Sequence, residues 1–133
     1  MAEASFPAGL IDTDILIDAL RGTEDGVAFL TNQHASSGVQ ISIISAMELV
    51  AGCRHSRELT LLQQFLQKVK IFPINVDISK RAYQLMESYF LSHGLLIPDA
   101  LIAATALGFG LTLYTKNIRH FQMIPELRLS RPY

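Results

Sequence analysis

Short apolar runs alternate with longer stretches of helical periodicity along this sequence, and few architectures accept that order. Ala8–Asp12, Val39–Ser42, Ile71–Val76, Leu111–Thr115 and Leu127–Leu129 read as strands. The segments between them carry apolar residues three and four apart; in Ser56–Val69 the stripe is Leu59, Leu62, Phe65, Leu66 and Val69. Strands joined through helices run parallel, and the helices cover both faces of their sheet. The expected fold is α/β, a three-layer α/β/α sandwich with a central, mainly parallel sheet. The 133 residues suit a single domain spanning 1–133, and no linker, repeat or low-complexity run divides them.

Local signals place the helix ends. Asp14 is expected to cap Ile15–Arg21, and Thr23-Glu24-Asp25 to open a second helix. Ser45-Ala46-Met47-Glu48 has the spacing of a capping box for a helix running through Leu49, Val50 and Cys53. Asp77 or Ser79 caps a long helix closed by His93-Gly94, and Pro98-Asp99 starts another closed by Gly108-Phe109-Gly110. Pro73 puts the third strand near a sheet edge.

Composition narrows the classes. Half the residues are apolar and 17% charged, which excludes a disordered tail and fills a core. Apolar residues around Val27–Leu30 and Met47–Val50 are expected to leave a patch for a second subunit or a protein partner. With a net charge of −1, no global positive field holds a polyanion. Nucleic-acid contact then needs bridging cations or local groups: Arg54, His55 and Arg57, and Lys116, Arg119 and His120. A single cysteine, Cys53, allows no internal disulfide and no cysteine-built zinc site, and fits a reducing compartment. Met1–Ser5 lacks the basic start of a secretory leader, and Leu101–Tyr114 is too short to span a bilayer. The expectation is a soluble, cytoplasmic protein without a membrane segment.

In parallel sheets, sites form beyond the carboxyl ends of the strands. Asp12 ends the first strand, Glu48 follows the second, Asp99 opens a helix, and Thr115, Lys116 and Asn117 follow the strand at Leu111–Tyr114. Three converging carboxylates repel one another, which raises a pKa or recruits a cation. Hard oxygen donors favour Mg²⁺ or Mn²⁺, ions that polarise a phosphodiester and activate water. Each acid also has a local reading: Glu48 completes the box with Ser45, and Asp99 complements a helix dipole. Asp12 is harder to assign to packing, because it interrupts an apolar strand. Spacing alone leaves both readings open.

Four motifs in order carry a resemblance. Leu10-Ile11-Asp12-Thr13-Asp14-Ile15-Leu16-Ile17 resembles the opening of PIN-domain ribonucleases, and Ile43-Ile44-Ser45-Ala46-Met47-Glu48-Leu49-Val50-Ala51-Gly52 their second acidic motif. Pro98-Asp99-Ala100-Leu101-Ile102-Ala103-Ala104-Thr105-Ala106 is similar to the third, and Leu113-Tyr114-Thr115-Lys116-Asn117-Ile118-Arg119-His120-Phe121 to the fourth. The small size points to the VapC-type toxins of bacterial toxin–antitoxin pairs. This resemblance implies a Mg²⁺- or Mn²⁺-dependent endoribonuclease that forms a homodimer and is neutralised by a cognate antitoxin. Asp12, Glu48 and Asp99 would be metal ligands, and Asn117 would join them in the catalytic site. Asp14 stands where Asn is customary, and Asn117 where relatives often carry Asp; the lost charge counts against a second tightly held metal.

Two other readings compete. Asp12-Thr13-Asp14 matches the Asp-x-Asp of haloacid-dehalogenase-like phosphatases, with Asp12 as nucleophile and Asp14 as general acid. Against it, Leu16 stands where Thr or Val is expected, and no acidic pair follows Thr115 to bind magnesium. The other reading is a PIN-like module that binds RNA or protein without cutting. No phosphate loop, zincin His-Glu-x-x-His or Gly-x-Ser-x-Gly is present.

Overall fold

A computed structural model describes residues 6–133; Met1–Ser5, on which the leader-free reading rests, lie outside the described residues. The chain runs β1 (Gly9–Ile11), α1 (Thr13–Leu20), α2 (Glu24–Ser36), β2 (Gln40–Ser42), α3 (Ile43–Ala51) and α4 (Ser56–Leu66). It continues through β3 (Lys70–Phe72), α5 (Val76–His93), α6 (Ile97–Phe109), β4 (Thr112–Tyr114), a single 3-10 turn at Ile118–His120 and β5 (Leu129–Ser130).

Strand pairing is parallel in all three ladders: β1 with β4, β4 with β5, and β2 with β3. Leu10 lies opposite Leu113 and Ile11 opposite Tyr114. The ladders form two pieces, β1-β4-β5 and β2-β3. They meet where β2 lies beside β1, and the Gln40 side chain reaches the Gly9 carbonyl at 3.5 Å.

The alternation of side chains along each strand builds the three layers. Leu10 and Leu113 share one face and pack with Ile78, Ala82 and Leu85 of α5 and with Ile102, Ala103 and Ala106 of α6. Ile11, Tyr114 and Ile41 share the other, against Ile15 and Leu16 of α1, Phe29 and Leu30 of α2, Leu49 of α3 and Leu62 of α4. Leu10, Ile11, Ile15, Leu16 and Leu113 are fully buried, so truncating any one to alanine costs about 2–5 kcal/mol. Alanines at 100, 103, 104 and 106 keep α6 slim enough to lie deep against the sheet. Gly9 permits the same closeness on β1. A β-carbon there would fall within 2.6 Å of the Tyr114 ring and the Thr112 carbonyl.

Element ends differ from the sequence reading in instructive ways. Asp12, not Asp14, caps α1, and Ser42, not Ser45, caps α3. Each helix starts at once where its strand stops, so the residue at the strand's end does the capping. Ser45 and Glu48 therefore lie inside α3 and form no capping box. The long helix is capped by Asn75, whose side chain accepts from Ile78 N at 2.8 Å, rather than by Asp77 or Ser79. Gly94 and Gly110 end α5 and α6 in the left-handed conformation that glycine adopts most cheaply, as their positions suggested. Pro73 cuts β3 short at Phe72, and β3 is an edge strand.

Candidate active site

The site is built where β1 and β4 end side by side. Asp12 N donates to the Tyr114 carbonyl at 2.9 Å, so the acid still belongs to the strand ladder while it caps α1. Its Oδ1 accepts from Thr13 N at 2.8 Å, and its Oδ2 accepts from Thr115 Oγ1 at 2.8 Å. The sheet thus fixes the backbone of this residue, and helix and following loop fix its carboxyl. It is 5% exposed. Burial pushes its pKa up to about 7, with the charges of Asp14 and Asp99 adding to the rise against the pull of Thr115 and Thr13.

The other acids come from the separated elements that the motifs named. Asp99 sits in the first turn of α6, half-buried. Burial raises its pKa, the charges of Glu48 and Asp14 raise it further, and His120 opposes the rise. His120 Nδ1 lies 3.4 Å from Asp99 Oδ2. Glu48 projects from α3 and is exposed. Thr13 Oγ1 is 2.8 Å from Glu48 Oε1 and 2.8 Å from Ser45 Oγ. Its single proton goes to the carboxylate, which leaves its lone pairs for the Ser45 hydroxyl. Asp12, Glu48 and Asp99 consequently face one region in which Asp12 and Asp99, and Asp99 and Glu48, feel each other's charge.

These acids stop short of a closed ligand cage. Among the described residues, no three His, Cys, Asp or Glu side chains close to metal-ligating distances of one another. The donor set nevertheless suits a hard cation: carboxylates and hydroxyls, with repulsion that burial amplifies and a divalent charge would relieve.

Asp14 has a different task. Its Oδ1 accepts from Ile15 N at 2.8 Å and its Oδ2 from Lys116 N at 2.9 Å. Both oxygens are thus occupied, one within α1 and one holding the loop after β4, which argues against the free general acid that the phosphatase reading requires. Asn117 is exposed, and its backbone N–H donates to Thr115 Oγ1 at 3.0 Å.

The basic groups divide. Lys116 Nζ is held by Asp18 at 2.6 Å, and Arg54 pairs with Glu58 at 2.8 Å. Arg119 is exposed, and His120 serves Asp99. A groove of about 530 Å³ leads away from Glu48 between α1, α3 and α4, floored by Ile17, Leu20, Leu49 and Leu62. Of the expected apolar patch, Val27, Met47 and Val50 are exposed while Phe29 and Leu30 enter the core. Cys53 lies beyond the end of α3, half-buried, with its thiol 3.5 Å from the Leu49 carbonyl. Thr13, Asp18 and Tyr133 carry contacts that sequence reading did not single out. Thr13 had a signal in its place between two acids.

A parallel α/β sheet with acids at the carboxyl end of its central strands defines a class of hydrolase-like sites. The PIN domain family profile matches residues 9–126, and the chain belongs to that family. It is 40% identical over 122 residues to ribonuclease VapC19 of Mycobacterium tuberculosis, covering 90% of this chain and 96% of that protein. Ribonuclease VapC10 of the same organism is 34% identical over 120 residues, with 90% of each chain covered. A toxin–antitoxin complex from Klebsiella pneumoniae contains a chain with a TM-score of 0.78 and 31% identity, matched over 95% of this chain and 98% of that one. DNA-bound VapBC from Salmonella typhimurium, at 23% identity and a TM-score of 0.80, has the same fold over 93% of this chain. Family membership removes the phosphatase reading.

Proposed function

We propose that this protein is an endoribonuclease of the VapC type, the toxin of a toxin–antitoxin pair, and that its hydrolysis depends on Mg²⁺ or Mn²⁺. One observation carries the reading: Asp12, Glu48 and Asp99 come from three separate elements to one rim, where burial and mutual charge hold Asp12 and Asp99 above the ordinary carboxylate range. Asp12, Glu48 and Asp99 would hold the ion. When bound, it would supply Lewis-acid polarisation of a phosphodiester and activate the attacking water.

The chain's own residues prepare that site. Thr115 and the Thr13 N–H orient both oxygens of Asp12, and the Thr13 hydroxyl steers Glu48. His120 holds Asp99 while presenting its exposed ring to an incoming phosphate. The Asn117 amide, able to donate and accept, would hold a water or a phosphate oxygen at the mouth. Arg119 adds a local positive charge against the chain's overall −1. RNA is the substrate class, bound with modest, salt-sensitive affinity because few cations are free, and selected largely by its shape.

The whole chain acts as one domain in the cytoplasm, as a homodimer and in complex with a cognate antitoxin. No helix among the described residues is long and apolar enough to cross a membrane. The groove beside Glu48, with exposed Met47 and Val50 on α3, supplies apolar surface for such protein contacts.

Purified protein should cleave RNA with Mn²⁺ or Mg²⁺, stop with a chelator, and lose activity in Asp99→Asn while remaining folded. Cleavage that persists in chelator would overturn the metal-dependent mechanism. RNA binding without cleavage under all these conditions would establish the non-cutting module instead.

A further inference from the structure

Lys116 is a junction that no catalytic step requires. Its backbone N–H donates to Asp14 Oδ2 at 2.9 Å and its carbonyl accepts from Arg131 Nη1 at 3.2 Å. Its amine donates to Asp18 Oδ2 at 2.6 Å and lies 5.4 Å from the centre of the Tyr133 ring. The Tyr133 hydroxyl donates to the same Asp18 oxygen at 2.7 Å, and Arg131 Nε donates to the Tyr133 carbonyl at 2.9 Å. One residue earlier, Thr115 N donates to the Ser130 carbonyl at 3.1 Å. Asp14 and Asp18 are a single turn apart on α1, so residues 130–133 tie the loop at 115–117 to that helix from outside.

This loop supplies the hydroxyl that orients Asp12 and the N–H that holds Asp14. We propose that Tyr133 and Arg131 are positioning residues for the acidic site, acting through Lys116 and Asp18 and touching neither metal nor RNA; this rests on the ribonuclease reading. The Lys116 amine is then committed to the latch rather than to a phosphate of the substrate. Removal of the Tyr133 hydroxyl or of the Lys116 amine should let the loop move, loosening the donors to Asp12 and Asp14 without removing an acid.

Tyr133→Phe and Lys116→Met test this, with Tyr83→Phe on exposed α5 as control. Three readouts are taken on the full chain: hydrogen exchange of the Lys116 amide by NMR, Mn²⁺ affinity by calorimetry, and kcat and KM on a short single-stranded RNA. Both variants should show about 10-fold faster Lys116 exchange, about 10-fold weaker Mn²⁺ binding and a comparable fall in kcat, with KM changed less than about two-fold. The double variant should fall short of the product of the two losses, because both changes open one latch. Wild-type exchange and Mn²⁺ affinity in both variants would overturn the proposal. So would a lowered melting temperature with unchanged Mn²⁺ affinity, which marks a merely structural contact. If the wild-type protein cleaves no RNA, the ribonuclease reading falls, while the exchange and calorimetry arms still decide whether the latch positions the acids.

Discussion

Two aspartates on one short helix show how differently this protein treats a carboxylate. Asp14 and Asp18 are four residues apart on α1, yet burial raises the pKa of the first while the Lys116 amine and the Tyr133 hydroxyl lower that of the second. Asp18 is a satisfied charge whose partners are part of the fold. Asp14 joins Asp12 and Asp99 in a group where burial pushes every member up, and its charge adds to the rise at both of the others. A fold gains nothing by gathering like charges in a buried place unless something else binds there. The contrast separates a carboxylate of α1 whose charge is fully answered by its partners from one that stands beside the strained acids.

The largest break in that contrast comes from neutralising the strained side. Asp12→Asn keeps an oxygen for Thr13 N and a polar group for Thr115, so it should fold, while RNA cleavage in Mn²⁺ should fall at least about 100-fold. Its metal-free melting temperature at pH 8 should rise, because a buried repulsive charge has gone. A substitution that abolishes activity and stabilises the apoprotein is the signature of a functional charge. Loss of stability at pH 8 would place Asp12 with Asp18 instead.

The second effect is a pH dependence of unusual sign. Asp12 has a folded pKa of about 7 against an ordinary value of 3.8, so between those values the folded state binds more protons than the unfolded chain. Stability in chelator should therefore fall as pH rises from about 4 through about 7, by an amount on the order of a few kcal/mol. Asp14 and Asp99 are shifted the same way and deepen the trend. Added Mn²⁺ should restore stability most at the upper end of that window, since it binds the ionised form. Thermal melts across pH, with and without metal, measure both terms.

Asp18 should behave oppositely and more weakly. Its folded pKa is lowered, so its contribution is present above the ordinary carboxylate range and lost as pH falls through the folded value. Asp18→Asn should cost about 1–2 kcal/mol at neutral pH, because charge-assisted bonds from Lys116 and Tyr133 become neutral ones. The cost should shrink towards zero in acid. Denaturant unfolding at two pH values gives the comparison directly.

Much of this division was legible before any coordinates. The fold class followed from the alternation of strand and helix signals; spacing offered Asp12, Glu48 and Asp99 only as candidates, and the four motifs resembling PIN-domain ribonucleases selected them. What resisted reading was assignment at the level of single bonds. Asp12 and Asp14 are both credible caps, and only the position of the strand's last ladder bond, from Asp12 N to the Tyr114 carbonyl, decides between them. The Ser45–Glu48 spacing fits a capping box and also one face of a helix; the abrupt turn at Ser42 selects the second. Asp18, Lys116 and Tyr133 lie 98 and 115 residues apart along the chain in their two contacts with Asp18, and no local pattern announces such pairs.

The smallest expected effect sharpens the comparison from its other end. Arg54 and Glu58 form a two-pronged pair one turn apart, and Glu58 is held down to about 2 by the Arg54 side chain and backbone N–H. By pKa alone this would rank among the strongest ionic contacts in the molecule. Its setting argues otherwise: the Arg54 side chain is 82% exposed, so water and salt screen the attraction and the ordering of two flexible side chains opposes it. Arg54→Ala should leave the melting temperature unchanged within measurement error, whereas Asp18→Asn, with fewer contacts in a less exposed place, should not. What Arg54 can still affect is RNA encounter from beside the groove at Glu48, so cleavage rates at low substrate should drop modestly at low salt and converge with wild type as salt is raised. A clear loss of thermal stability in Arg54→Ala would mean that burial is not what divides the molecule's charges into structural and functional ones.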